Sequence, residues 1–185
     1  MGGADPPRQP ELGLTAPSVV GSFEAGDFDR AVARVGAEPS PEALVERLGL
    51  DWQYLTWLAL DTSNAVLGEH AETRGAVVSY GGEAFTAGFL IGVHLHKCPS
   101  PEPARLTAAM DLVQDRGGHA VIADHCDLES VARVENVYAE ALVESLAEVD
   151  ADGDELRSPL TRIFEAGLAV GLQVGSGGDR DRAVE

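Results

Sequence analysis

The chain is poor in side chains that coordinate borderline metals, and it crowds nearly all of them into one stretch. Of its five histidines and two cysteines, six residues fall between positions 94 and 126: His94, His96, Cys98, His119, His125 and Cys126. Imidazole and thiolate are the usual ligands of zinc and related ions. If 94–98 is helical, His94 and Cys98 share a face and His96 points elsewhere; if it is extended, all three share a face. His125 and Cys126 could complete the set, with Asp124 as a further ligand or as a partner orienting one. The candidate metal ligands are therefore His94, His96, Cys98, His125 and Cys126, with zinc as the expected ion. The spacing fits no zinc-finger pattern. The competing reading makes His94 and Cys98 ordinary residues near a helix end and Cys126 a buried thiol.

Other chemical signatures are missing from the sequence. It contains no G-x-S-x-G elbow, no phosphate-cradling G-x-x-x-x-G-K loop, no strand-borne G-x-G-x-x-G and no H-E-x-x-H. Asp150-Ala-Asp-Gly-Asp-Glu has the opening acids of a calcium loop. It fails at the sixth position, Glu155 in place of glycine, and at the twelfth, Thr161 in place of a bidentate glutamate. We read it as an acidic interhelical turn. Gly81-Gly82 could present backbone N–H groups to an anion at a helix start, but Glu83 already occupies that positive end.

Charge bounds the function further. There are 31 acidic residues against 13 basic ones, a formal net charge of -18, and Lys97 is the single lysine. Acids spread along the whole chain, with almost no lysine, suit a halophilic, salt-rich cytoplasm in which self-repulsion is screened. With no basic patch, no direct binding of DNA or RNA is expected. An acidic mimic of nucleic acid is a minor alternative, and needs the carboxylates to form one continuous stripe. No basic segment followed by an apolar run opens the sequence, so no signal peptide is expected. The longest apolar run, Ala84 to Leu95, falls short of the roughly 18–20 residues that span a bilayer. These features point to a cytoplasmic protein without a membrane segment.

The elements that must position these residues are helical. Residues 1–20 carry Pro6, Pro7, Pro10 and Pro17 without periodicity, and 175–185 are Gly-rich and charged. Both read as loose tails around a helical domain at 21–174. Three Ser-Pro pairs, Ser40-Pro41, Ser100-Pro101 and Ser158-Pro159, look like helix starts: serine caps a free N–H, and proline suits the first helical position. Gly49, Gly68, Gly117 and Gly175 look like helix ends, with Leu50 making the hydrophobic contact that closes a Schellman cap. The expected helices are 27–35, 41–48, 52–67, 83–97, 102–115, 127–149 and 159–174, a mostly α single-domain bundle of about six to seven helices.

In 127–149, Leu128, Val131, Val134, Tyr138, Ala141, Leu142, Leu146 and Val149 form one apolar stripe. Glu129 and Arg133 make a favourable i,i+4 pair on the polar face. The 52–67 helix holds Trp52 and Trp57 and is expected at the centre of the core. Two short apolar runs, 75–80 and 119–123, could instead form a minor two-strand element or extend neighbouring helices. One pattern repeats: Phe85-Thr-Ala-Gly-Phe-Leu-Ile-Gly and Phe164-Glu-Ala-Gly-Leu-Ala-Val-Gly both read F-x-A-G-x-x-x-G. Paired glycines four apart leave a smooth face for close backbone approach. Gly88/Gly92 and Gly167/Gly171 therefore mark tight packing inside the core or, alternatively, a homodimer seam.

With no catalytic signature, the leading expectation is a non-enzymatic helical interaction or regulatory protein with an unknown protein partner. The alternative is a metal-binding protein or metal-dependent hydrolase built on the 94–126 cluster.

Overall fold

The computed structural model describes residues 23–68, 75–133, 135–136, 138 and 153–176. The expected tail at 1–20, nearly all of the one at 175–185, and the 139–149 part of the expected 127–149 helix lie outside them. Seven helices precede the last among the described residues: α1 (Ala25–Gly36), α2 (Pro41–Arg47), α3 (Trp52–Leu67), α4 (Gly75–Leu95), α5 (Arg105–Arg116), α6 (Gly118–Ala123) and α7, helical at 128–133 and again at 135, 136 and 138. The last is α8 (Gly153–Gly175). The protein is a mostly α single domain, and among the described residues it has no strand. An isolated parallel bridge between Phe23 and Cys126 ties the start of α1 to the turn before α7.

Local signals set several boundaries. Ser40 Oγ accepts the Ala43 N–H at 3.2 Å, with Pro41 opening α2. Gly49 (φ +75°) closes α2 as a Schellman cap: its N–H donates to Glu46 O and that of Leu50 to Val45 O, while Leu50 is buried. Asp51 caps α3, accepting from the N–H groups of Gln53 and Tyr54. Gly68 ends α3 in the right-handed region, φ -63°, so it is not the left-handed stop expected there.

Other signals are overridden. The predicted start at Ser100 moves to Arg105, because Pro103 disfavours helical geometry at the residue before it. The predicted start at Ser158 moves back to Gly153, with Pro159 inside the helix. Leu156, Leu160, Ile163 and Phe164 are all buried on one stripe, so burial carries α8 through the proline and through the second half of the acidic segment at 150–155. The two-strand element at 75–80 and 119–123 is not formed. Residues 75–80 are the first turns of α4, and 119–123 belong to α6, where adjacent Val121 and Ile122 are both buried instead of alternating.

Gly81-Gly82 does not interrupt α4, because both are needed small. A Cβ on Gly81 would lie 2.0 Å from Ser63 Oγ, which itself donates to Val78 O, and one on Gly82 would meet Leu60. The result is a helix of 21 residues. By length and composition it is the one helix among the described residues that could cross a bilayer, yet 67% of its most apolar window is buried inside the protein. The centre of the core is the pair α4 and α8, not α3, whose Trp57 is 58% exposed.

That central pair is parallel and meets through the two F-x-A-G-x-x-x-G segments. Cβ atoms on Gly88 and Gly92 would lie 2.3 Å from Phe164 O and 2.4 Å from Leu168 O. Reciprocally, those on Gly167 and Gly171 would lie 2.0 Å from Phe85 O and 2.1 Å from Phe89 O. Equivalent positions thus exchange equivalent contacts, as about a local twofold axis. The correspondence extends to the other described helices: helix, short helix, Asp-capped helix and glycine-faced helix occur twice in the same order. Phe28 and Ala31 in α1 answer Leu106 and Ala109 in α5, and Leu44-Val45 in α2 answers Val121-Ile122 in α6, all buried. Asp51 answers Asp127, which accepts the Ser130 N–H at 3.1 Å. Among the described residues the second half follows the helix order of the first, and the glycine faces offered for a homodimer meet each other within one chain.

Candidate functional sites

Three of the histidines crowded between 94 and 126 have hydrogen-bond partners outside the crowded set. His94 Nδ1 donates to Leu90 O at 2.8 Å, an intrahelical bond at the end of α4. His96 Nε2 donates to Leu172 O at 3.2 Å, and its ring meets Phe23 edge-on at 5.1 Å. His125 Nε2 accepts from Gln173 Nε2 at 2.7 Å. Cys98 is exposed. Cys126 is buried, and burial first, then the nearby Asp127 and Asp27 charges, push its thiol up to about 12. Asp124 binds Arg116 at 2.7 Å, and that hydrogen bond holds its carboxyl below the usual carboxylate range. Phe23 joins the two segments at the C-terminal end of α8: its ring touches His96, and its backbone pairs with His125 and Asp127.

Among the described residues, one set of three metal-ligating side chains does converge. Ligand atoms of His119, Glu135 and Glu165, from α6, α7 and α8, all lie within 4.8 Å of one another. His119 Nδ1 is 3.4 Å from Glu165 Oε1, and Glu135 Oε1 is buried without a hydrogen-bond partner. Burial, reinforced by the Glu165 charge and a hydrogen bond between the two carboxyls, raises Glu135 to about 8. At neutral pH Glu135 therefore keeps its proton. His119 stood in the crowded stretch, but neither glutamate is legible as its neighbour from spacing. The available signal was Glu135 itself: Val131, Glu135 and Tyr138 fall at i, i+4 and i+7, which places a carboxyl on the apolar stripe of α7.

The second feature is a surface. The outer side of α3 exposes Tyr54, Trp57 and Leu60, and the first two rings stack at 5.9 Å with 20° between planes. Tyr54 Oη also lies 3.2 Å from Thr107 Oγ1 of α5. Asp61 is exposed one turn beyond Trp57, and Asp51 is exposed at the helix start. The corresponding positions of α7 carry Ser130, Arg133 and Asn136, and Arg133 pairs with Asp29 of α1 instead of the Glu129 expected from sequence. A shallow groove of about 260 Å³ between α5 and the end of α8, lined by Arg105, Ala109, Leu112, Gln173 and Ser176, holds no paired acid and base.

In comparisons with known proteins, no family model, no curated protein and no solved structure matches the chain.

Proposed function

We propose that this protein is a non-enzymatic helical interaction protein of a salt-rich cytoplasm, and that its docking surface is the outer face of α3. The single observation behind this reading is the stacked, exposed pair Tyr54–Trp57 with Leu60 beside it. Aromatic side chains left in water at helical spacing bring large apolar area at low entropic cost, and they dominate interface energetics where they occur. Among the described residues, the positions of α7 that correspond to Tyr54, Trp57 and Leu60 are Ser130, Arg133 and Asn136, so the repeat of the fold does not demand the aromatic pair. Its rim is acidic, and so is the chain as a whole, with a net charge of -18. The partner with matching chemistry is a basic amphipathic helix, its apolar residues on Tyr54, Trp57 and Leu60 and its arginines or lysines over Asp51, Asp61 and the Trp57 ring.

The test uses a basic amphipathic helical peptide and a charge-reversed analogue, with tryptophan emission as the readout at several salt concentrations. The basic peptide should shift the emission and bind more weakly as salt rises. Trp57→Ala and Leu60→Ala should each weaken binding at least tenfold while leaving the fold intact. Equal response to both peptides, or undiminished binding by the variants, would overturn the proposal.

A further inference from the structure

We propose that His119, Glu135 and Glu165 form a zinc site where α6, α7 and α8 meet. The donor set is one imidazole and two carboxyls from three separate helices, all within 4.8 Å of one another. Zinc held tetrahedrally at about 2.0–2.2 Å sets its ligand atoms about 3.3–3.6 Å apart. The 3.4 Å between His119 Nδ1 and Glu165 Oε1 matches one edge of that tetrahedron and is long for a hydrogen bond. A small octahedral cation, with ligands at about 2.0–2.1 Å, needs the shorter edge of about 2.8–3.0 Å.

A second observation is independent of the spacing. Glu135 Oε1 is buried and has no hydrogen-bond partner. An unpaired buried acceptor costs free energy in a folded protein, and such groups are rare without a reason. A cation between the three side chains supplies the missing partner.

The backbone around the site is fixed from three directions. Gly117, at φ +85°, turns the chain sharply from α5 into α6. Gly118 then lies against α8, where a Cβ would come within 3.1 Å of Ala166 N and Glu165 C. That approach sets His119 beside Glu165. On the other side, Tyr138 stacks on Phe164 with ring centroids 4.5 Å apart. Tyr138 is one turn beyond Glu135, and Phe164 directly precedes Glu165, so the same stack holds both glutamates at one level. Three protein ligands leave the fourth zinc position to solvent. The set shares no residue with His94, His96, Cys98, His125 and Cys126, and the inference does not depend on the α3 surface.

The experiment takes the full chain, freed of any affinity tag and stripped with chelator, and titrates zinc sulfate by calorimetry, with thermal unfolding alongside. One zinc per chain should bind and raise the unfolding midpoint. Glu135→Gln, Glu165→Gln and His119→Gln should each lower affinity at least tenfold, while the double variant His94→Gln/Cys98→Ser binds as the parent does. The glutamine variants are close in shape, and their metal-free unfolding midpoints establish that they fold. Cobalt(II) in place of zinc should give the visible spectrum of a nitrogen and oxygen set, without thiolate charge transfer. Absence of stoichiometric zinc binding, equal binding by the three variants, or a thiolate signature would each overturn the assignment.

Discussion

Gly167→Ala is the sharpest probe of the central helix pair. The new methyl carbon would stand 2.0 Å from Phe85 O, 2.8 Å from Phe85 C and 3.0 Å from Phe85 Cα. All three are backbone atoms of α4, so no rotamer change relieves the clash. An ordinary carbon–oxygen contact is about 3.4 Å, and α8 must therefore retreat by about 1.4 Å along a seam packed at crystal-like density. Overpacking of this kind costs about 1–3 kcal/mol, and a clash with rigid backbone belongs at the upper end. Alanine returns about 1 kcal/mol through its better helix propensity. The net loss is about 2 kcal/mol, or about 4–8 °C in the unfolding midpoint of a chain this long. Gly82→Ala is the matched control: its methyl would meet only the Leu60 side chain, at 3.1 Å, so stability should fall little or rise. Gly88→Ala presses on Phe164 O across the same seam, and once one substitution has parted the helices the second should cost less than it does alone. Thermal and urea unfolding of the two single variants, the double variant and the control measures all of this. A Gly167→Ala protein as stable as the parent would refute the close-contact account of both F-x-A-G-x-x-x-G segments.

The net charge of -18 should make stability rise strongly between 0.1 M and 1 M salt, as the Debye length falls from about 10 Å to about 3 Å; a flat urea midpoint across that range contradicts the salt-adapted reading. Because burial raises Glu135 to about 8 in the folded protein, the folded state holds a proton that the unfolded chain has lost, and this group's contribution falls as pH rises from about 4.5 to 8. In metal-free protein, Glu135→Gln should therefore raise stability at pH 8 and change it little at pH 4, read from unfolding midpoints at the two values. Asp51→Ala and Asp127→Ala should each cost about 1 kcal/mol through loss of the helix cap, and similar urea-midpoint shifts would support the equivalence of α3 and α7.

Much of the helical pattern is readable from local chemistry. The bounds of α2 follow from Ser40-Pro41 and Gly49, because caps act within one turn. The misplaced boundaries share a different cause. Gly81-Gly82 resembles punctuation until Ser63 and Leu60 are seen pressing on it, and Pro159 resembles a start until Leu156 is seen buried one turn earlier. In both cases packing from distant residues outweighs a local preference. The exposure of Trp57 was hidden for the same reason: an apolar helix reads as central unless the chain supplies an even more apolar one, and α4 is that helix. The repeat was visible only at the glycines, where backbone contact permits little substitution. Elsewhere the halves keep buried positions and a capping aspartate while their sequences differ. The meeting of His119 with Glu135 and Glu165 depends on how α6 and α7 cross α8, which no spacing encodes.

The reciprocal seam between α4 and α8 has a consequence for how surfaces can diversify. In an association of two identical chains, every substitution is present twice, so an aromatic patch gained on one outer helix is gained on both and the assembly offers two equal docking faces. Here the two halves are covalently joined and separately encoded. A change on α3 leaves α7 untouched: exposed Tyr54, Trp57 and Leu60 stand on one side, while the matching positions of α7 hold a buried Ser130 and exposed Arg133 and Asn136. The shared interior holds the architecture, and the two halves are free to diverge elsewhere, with exposed Tyr54, Trp57 and Leu60 on the first half and, on the second, the meeting point of three helices that gathers an imidazole and two carboxyls.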